Sequence, residues 1–226
     1  MTIPKIIHHI WMGNNKIPNI NSYCASTIKN TNPDFKYMLW KDNDIQNIMK
    51  NDFPIYYDKF NDLPRMIMKI DMFRYFLMYK YGGLYTDMDY LMFKPFDLLN
   101  EKVVIPCNRE DEENKPTCLG NCIFASEPNH PFWKSLIDTL FTIDRNKLDY
   151  KTDKNIDGNV LGTGPMFVFA MWKKYLKNNE NSDICISKRH LFHPPTKNDE
   201  KYIKQLKENG CYGMHICTGL WRNNKL

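Results

Sequence analysis

No run of five or more basic residues occurs anywhere in this 226-residue chain, which argues against a polybasic arm. No stretch approaches about 18 consecutive apolar residues, so no membrane span is expected. The first residues, MTIPKIIHHIWMG, lack the long apolar centre of a signal peptide. No Asn-x-Ser/Thr sequon is present, and the seven cysteines are odd in number and scattered without a disulfide-scaffold spacing. Together these absences predict a reducing, cytoplasmic setting, with peripheral contact to a membrane left open. What is present is ordinary for a globular protein: 42% hydrophobic and 25% charged residues. Aromatics reach 14%, enough for a well-filled core and a stacking site. The net charge of +5 is a mild bias toward anionic ligands, well short of a nucleic-acid signature.

Along the chain, the pattern alternates between strand-like and helix-like segments. KIIHHIWM (5–12) reads as a buried strand and FKYMLW (35–40) as an alternating one. A short helix is expected from Asn21 to Asn30, stopped at Asn32-Pro33. Another is expected from Asp42 to Asn51, with Asp42 as its cap. Pro64 is expected to open a long, largely buried helix, RMIMKIDMFRYFLMYKY, that ends at Gly82-Gly83. LYTDMDYLMF then reads as one strand, and VVIP and NCIFAS as two more. The polar NREDEENKPT between those two reads as a loop. HPFWKSLIDTLFTI (130–143) has helical spacing, residues 144–160 look like an exposed excursion, and LGTGPMFVFAMWKKYL reads as a Gly-rich turn feeding a helix. ICI, HLFHPP and YGMHICTGLW read as short strands near the end. Strands alternating with helices predict an α/β fold. No linker divides the chain, so a single domain over 1–226 is expected.

KYGGLYTDMDY (80–90) carries the chemistry. On a strand, positions i and i+2 share a face, so Asp87 and Asp89 are expected to project together. Two close carboxylates are costly when desolvated. A hard divalent cation removes that cost and leaves positions open for phosphate oxygens. The bland alternative is a polar strand end with both carboxylates in water. On the preceding helix, Asp71 and Arg74 are i,i+3 neighbours inside an apolar run. Read alone they are a helix ion pair, but the Gly-Gly turn leads that helix straight into the D-x-D segment.

The ordered set IPKIIHHIW, NPDFKYMLW and DMFRYFLMYKYGGLYTDMD resembles the DXD-containing glycosyltransferases related to the yeast initiating α-1,6-mannosyltransferase. This is glycosyltransferase family 32, whose donor domain is similar to that of the large clostridial glucosylating toxins. The string D-x2-R-x7-GG-x3-D-x-D is the specific part. NCIFASEPNHPF, TGP and a late H-x5-W at His215 and Trp221 add weaker matches.

The resemblance implies a GT-A fold, a Rossmann-like mixed sheet flanked by helices. The nucleotide-sugar part is expected over about 1–126 and the acceptor side over about 127–226. It implies a nucleoside-diphosphate sugar donor (UDP- or GDP-sugar), Mn2+ or Mg2+ as the ion, and retention of anomeric configuration. It implies a glycan, lipid-linked or protein acceptor, and no nucleic acid. Ile10 and Trp11 are expected among the donor-binding positions, Trp11 by stacking on the nucleobase. Asp71 and Arg74 match the positions that hold the donor sugar, and a guanidinium fork suits sugar or phosphate oxygens. Asp87 matches the first carboxylate of the motif and Asp89 the second, the more direct metal ligand. Tyr85 is expected to line the same pocket, and Asn121 matches a residue beside the donor sugar. His215 and Trp221 match a late segment that returns to the metal and diphosphate. The Gly162-Thr163-Gly164-Pro165 turn either shapes the acceptor side or simply starts a helix.

Three other readings compete. A zinc module could draw on Cys107, Cys118, Cys122, His130, Cys211, His215 and Cys217, but their spacings miss the usual C-x2-C knuckle. A non-catalytic carbohydrate-binding protein would bind the donor without turnover. A metal-dependent phosphohydrolase or nucleotidyltransferase would use the same carboxylate pair on a phosphate bond.

Overall fold

A computed structural model describes residues 2–142, 162–179 and 182–220. The first half runs β1 (Ile6–Ile10), α1 (Asn19–Thr31), β2 (Lys36–Trp40), α2 (Asp42–Asp52), α3 (Pro54–Asn61), α4 (Met66–Tyr81), β3 (Gly83–Thr86) and β4 (Tyr90–Met92). The second half runs β5 (Val103–Glu110), β6 (Pro116–Leu119), β7 (Ile123–Ser126), α5 (Pro131–Thr142), α6 (Pro165–Asn178), β8 (Ile184–Ser187), α7 (Arg189–Phe192), α8 (Glu200–Glu208) and β9 (Gly213–His215). The main sheet has seven strands, with path β2-β1-β3-β7-β5-β6 and β8 beside β5. β1 pairs in parallel with β2 and β3, whereas β7 is antiparallel to β3 and β5. β4 and β9 form a separate antiparallel ribbon.

Helices cover both faces of the sheet, and the strands show it by their alternation. Tyr85, Val103, Ile105 and Phe124 enter one core with Phe73, Phe76 and Trp133. Leu84, Val104, Ile123 and Ala125 enter the other with Ile28, Phe96 and Tyr212. A period of two with both sides buried is what a sheet packed on both faces requires.

Several local expectations change. The long segment after Gly83 is not one strand: β3 ends at Thr86, residues 87–89 make a turn, and β4 starts at Tyr90. Asp87 therefore meets Asp89 across a turn, closed by the Tyr90 N–H donating to the Asp87 carbonyl at 3.1 Å, and not by strand pleating. Asp42 lies inside α2 and does not cap it. Asp44 accepts from the Lys41 N–H at 3.1 Å, and the Asp42 carboxylate accepts from the Gly13 N–H at 2.9 Å. α4 begins at Met66 after Arg65 as N-cap, past Pro64. NREDEENKPT is largely a hairpin, because β5 runs on to Glu110 and pairs with β6. HLFHPP contains the short helix α7 in place of a strand. α3 and α8 are additional helices: Pro54 sits at the first turn of α3, where a missing N–H costs nothing, and Asp199 caps α8 through the Tyr202 N–H. The excursion expected over 144–160 lies outside the described residues.

The α4 stop is as the sequence suggests, and the space around it is tight. Gly82 has φ +61°, and a Cβ there would sit 2.5 Å from the Ser126 carbonyl oxygen. Gly83 has φ +88°, and its Cβ would sit 2.6 Å from the Ile6 carbonyl oxygen. Only glycine meets both conditions without strain.

His8 and His9 of β1 are buried and satisfied. His8 Nδ1 accepts from the Trp40 indole N–H at 3.0 Å, which leaves Nε2–H to donate to the Gly82 carbonyl at 2.9 Å. His9 bridges the Tyr37 and Thr86 hydroxyls at 3.0 and 2.6 Å. Burial lowers the two pKa values to about 4 and about 3 from the ordinary 6.5. The unfolded chain takes up these protons below about pH 6.5 while the folded one resists, so their stabilising effect is complete above that pH and is lost as pH falls toward 4. Thermal melts from pH 7 to 4 should show a declining Tm. In His9→Gln, which keeps a polar side chain but takes no proton, the decline should be shallower; an unchanged slope would remove His9 as a contributor.

Candidate functional site

A cavity of about 290 Å³ opens where the end of β1, the buried face of α4, the 87–89 turn and the segment 215–220 meet. Local folding explains each side chain. Asp71 and Arg74 are one turn apart on α4, with side chains 4% and 2% exposed and an Nη2–Oδ1 separation of 3.0 Å. Asp71 is further tied by the Asn121 amide at 3.1 Å and the Thr163 hydroxyl at 2.9 Å. Both of its oxygens are thereby engaged. Burial pushes the Asp71 carboxyl up to about 6, against the pull of Arg74 and Thr163. Arg74 reaches Asp87 Oδ1 at 3.3 Å and donates to the Asn121 carbonyl. Burial opposes its charge, but Asp87, Tyr85 and Asp71 outweigh that and raise its pKa. Its Nε is buried with no hydrogen-bond partner among the described residues.

Asp87 is fixed at both ends. Its N–H donates to the Cys122 carbonyl at 2.8 Å, and its Oδ1 accepts from the Tyr85 hydroxyl at 2.6 Å. Tyr85 is buried and stacks under Arg74, whose Cζ lies 4.9 Å from the ring centroid. Asp89 anchors the late segment: Oδ1 accepts from His215 Nε2 at 2.9 Å, and Oδ2 from the Thr218 N–H and hydroxyl, both at 2.8 Å. Pairing of Tyr90 with His215 across the β4–β9 ribbon delivers the imidazole. Burial raises the Asp89 pKa, but the bonds from His215 and Thr218 prevail and hold it well below the usual carboxylate range. Burial likewise opposes the His215 charge, yet Cys122, Asp89 and Cys217 prevail and raise its pKa. The His215 imidazole thus sits between Asp89 and Asp87, whose Oδ2 is 3.7 Å away.

Among the described residues, two groupings bring metal-ligating atoms within 4.8 Å of one another: Asp87–Asp89–His215 and Cys122–His193–His215. Of the side chains a zinc module would need, only Cys122 and His215 belong to either, and their third neighbour, His193, lies outside that set. Burial pushes the Cys122 thiol up, but His215 and His193 outweigh it and bring its pKa down to about 7.

Ile10 and Trp11 line the cavity and are also core, at 6% and 7% exposure. The Trp11 indole N–H is committed to the Asn15 carbonyl at 2.8 Å, so what the residue offers a ligand is ring surface. Trp221 lies outside the described residues. In the Gly-rich turn, Gly164 and Pro165 line the cavity and Gly164 precedes α6, while Thr163 secures Asp71 and accepts from the Tyr75 hydroxyl. TGP marked Thr163 as part of a turn but not as the partner of Asp71, and the roles of His193 and Thr218 had no signal in the sequence, because each acts across a long sequence gap.

Residues 18–105 match the family described as glycosyltransferase sugar-binding region containing DXD motif. The chain is 31% identical over 179 residues to inositol phosphoceramide mannosyltransferase 1 of Schizosaccharomyces pombe, covering 77% of this chain and 52% of that protein. It is 28% identical over 223 residues to an uncharacterized glycosyltransferase of Acanthamoeba polyphaga mimivirus, covering 97% of this chain and 84% of that one. Among solved structures, the PaToxG glycosyltransferase aligns with a TM-score of 0.53 at 20% identity, over 78% of this chain and 71% of that one. At such identity the likeness shows the fold alone. The chain spans about half the length of the first curated relatives it matches.

Proposed function

We propose that this chain, whose residues 18–105 match the DXD-containing sugar-binding region of glycosyltransferases and which has a GT-A fold, moves a sugar from a UDP- or GDP-sugar to an acceptor hydroxyl, with retention. The observation that carries this reading is the convergence of Asp87, Asp89 and His215 in a cavity also lined by Asp71, Arg74 and Asn121. Two carboxylates and an imidazole that close together suit a divalent ion with a preference for oxygen, Mn2+ or Mg2+. Such an ion, when bound, offsets the negative charge that grows on a departing diphosphate.

The chain's own groups do the rest. His215 would bind an ion only through an unprotonated ring nitrogen, so ion uptake is opposed at low pH. Arg74 presents a fixed positive charge, pre-aligned by Asp71 and Asp87. Tyr85 orients Asp87, Asn121 links the sugar side to Asp71, and Ile10 and Trp11 give the base an apolar seat. Trp221 keeps the role that the resemblance implies. Asp71, Asp87 and Asp89 are the carboxylates that line the cavity among the described residues, and each is already held. We therefore assign no protein nucleophile, and the acceptor proton goes to the leaving diphosphate. Residues from about 127 onward supply the acceptor side, and the cysteine usage fits a cytoplasmic setting. The names of curated relatives join a mannosyl group to an inositol phosphoceramide. For this chain we extend that to an acceptor class, a lipid with a phosphate-bearing head group, which the net charge of +5 favours.

A panel of UDP- and GDP-hexoses, mannosyl donors included, tests the reading with Mn2+ and release of nucleoside diphosphate as readout. One or two donors should respond, and a chelator should stop the release. Donor binding without release would favour the non-catalytic alternative. A labelled sugar that remains attached to phosphate would favour phosphohydrolase chemistry.

A further inference from the structure

Cys122, His193 and His215 reach one point from three separate segments: the residues before β7, the end of α7, and the end of β9. We propose that they form a second cation site that takes a thiophilic divalent ion such as Zn2+. Their ligand atoms lie within 4.8 Å of one another. A tetrahedral zinc, with Zn–S near 2.3 Å and Zn–N near 2.0–2.1 Å, spaces such atoms by roughly 3.5 Å, so small side-chain movements close the set. One thiolate and two imidazoles select a softer ion than the neighbouring carboxylates do. Cys122 is 2% exposed, which shields a metal–sulfur bond from solvent. The rings of His193 and His215 stand edge to face, 5.9 Å apart and at 73°. Gly120 packs beside this cluster, where a Cβ would sit 2.9 Å from Pro106 Cγ and in contact with the His193 ring at 3.4 Å. Cys122 and His193 both line the cavity, so three protein ligands leave the fourth position facing open space. Cys122 binds as the thiolate and gives up its proton on metal entry.

The two sites share His215. An ion held by Cys122 and His193 draws this imidazole away from Asp89 and opposes the oxygen-preferring ion; this antagonism rests on the reading of Asp87, Asp89 and His215 given above. The soft site is then an inhibitory one, and zinc its effector.

Cobalt titration of the metal-free protein, followed by the sulfur-to-cobalt charge-transfer band, tests the site without any activity measurement. The wild type should develop the band with one equivalent of Co2+, and Zn2+ should abolish it. Asp87→Asn should keep the band. Cys122→Ser, shown to be folded by circular dichroism, should lose it. His193→Ala, a change at a half-buried position, should weaken zinc binding by more than the roughly 10–100-fold that outer-shell changes cost. Absence of the band in the wild type, its survival in Cys122→Ser, or its loss in Cys217→Ser instead would overturn the site. For the antagonism, zinc added to Mn2+-loaded protein should release free Mn2+, read by electron paramagnetic resonance. Cys122→Ser should need more than about tenfold more zinc to do so. Retention of Mn2+ while the zinc site fills would overturn the antagonism. A cobalt band in a protein that never binds Mn2+ would leave the soft site standing and defeat the reading of the D-x-D ion site.

Discussion

Asp89→Ala should reduce sugar transfer to the edge of detection, a loss of at least about 10²–10³ in kcat, the scale seen when one preorganised electrostatic group is removed. The carboxylate has two tasks. On the function proposed above it is one of three groups that would hold the ion, and its two oxygens hold His215 and Thr218. Removing it leaves the imidazole without its nearest acceptor and frees the 215–220 wall of the cavity. Asp89→Asn separates the tasks: it keeps an oxygen for Thr218 but loses the charge. Asn at this position should preserve the melting temperature better than Ala and should rescue little activity. Nucleotide release with a responsive donor and Mn2+ checks the kinetic claim, and a thermal melt checks the structural one. Full turnover in Asp89→Ala would refute the assignment of Asp89 as a metal ligand.

Arg74→Ala should destabilise the fold by about 3–5 kcal/mol, the usual cost of removing one partner of a buried ion pair. The guanidinium is almost wholly buried and touches Asp71, Asp87, the Asn121 carbonyl and the face of Tyr85. Its loss strands two carboxylates near each other with no compensating charge. Arg74→Lys returns a charge but has no planar fork with which to span three acceptors. Lysine should therefore recover part of the stability and little of the turnover. Urea unfolding gives the first number, and steady-state kinetics on the lysine variant gives the second. A loss under about 1 kcal/mol in Arg74→Ala would show that the cluster is far wetter than its burial indicates.

The sequence was most legible where a single local rule decides the outcome. β1 and β2 follow from apolar alternation, and α4 follows from a long apolar run ended by a glycine with positive φ. Asp71 and Arg74 could be paired from their i,i+3 spacing alone. Legibility failed where two local rules compete. Asp42 is a good cap residue, but Asp44 three places beyond Lys41 is the better-placed acceptor, and Asp42 turns to Gly13 instead. The D-x-D spacing fits a strand, yet the chain turns there, because β4 leaves the main sheet to pair with β9. The two carboxylates still converge, for a reason other than pleating. The contacts of Thr163 and His193 were illegible for another cause: TGP marked a turn, but the Thr163–Asp71 bond spans 92 residues, and no periodicity reports a contact of that range.

The ribbon that carries His215 sets an order of events during synthesis. Asp89 meets its His215 and Thr218 partners across 126 and 129 residues of chain. A ribosome-bound polypeptide that has emerged only as far as β7 already owns Asp71, Arg74, Asp87 and Asp89. It has not yet made the His215 and Thr218 groups that bond the Asp89 oxygens. Closure of the Asp89 cluster thus waits for β9 and the residues after it to leave the exit tunnel.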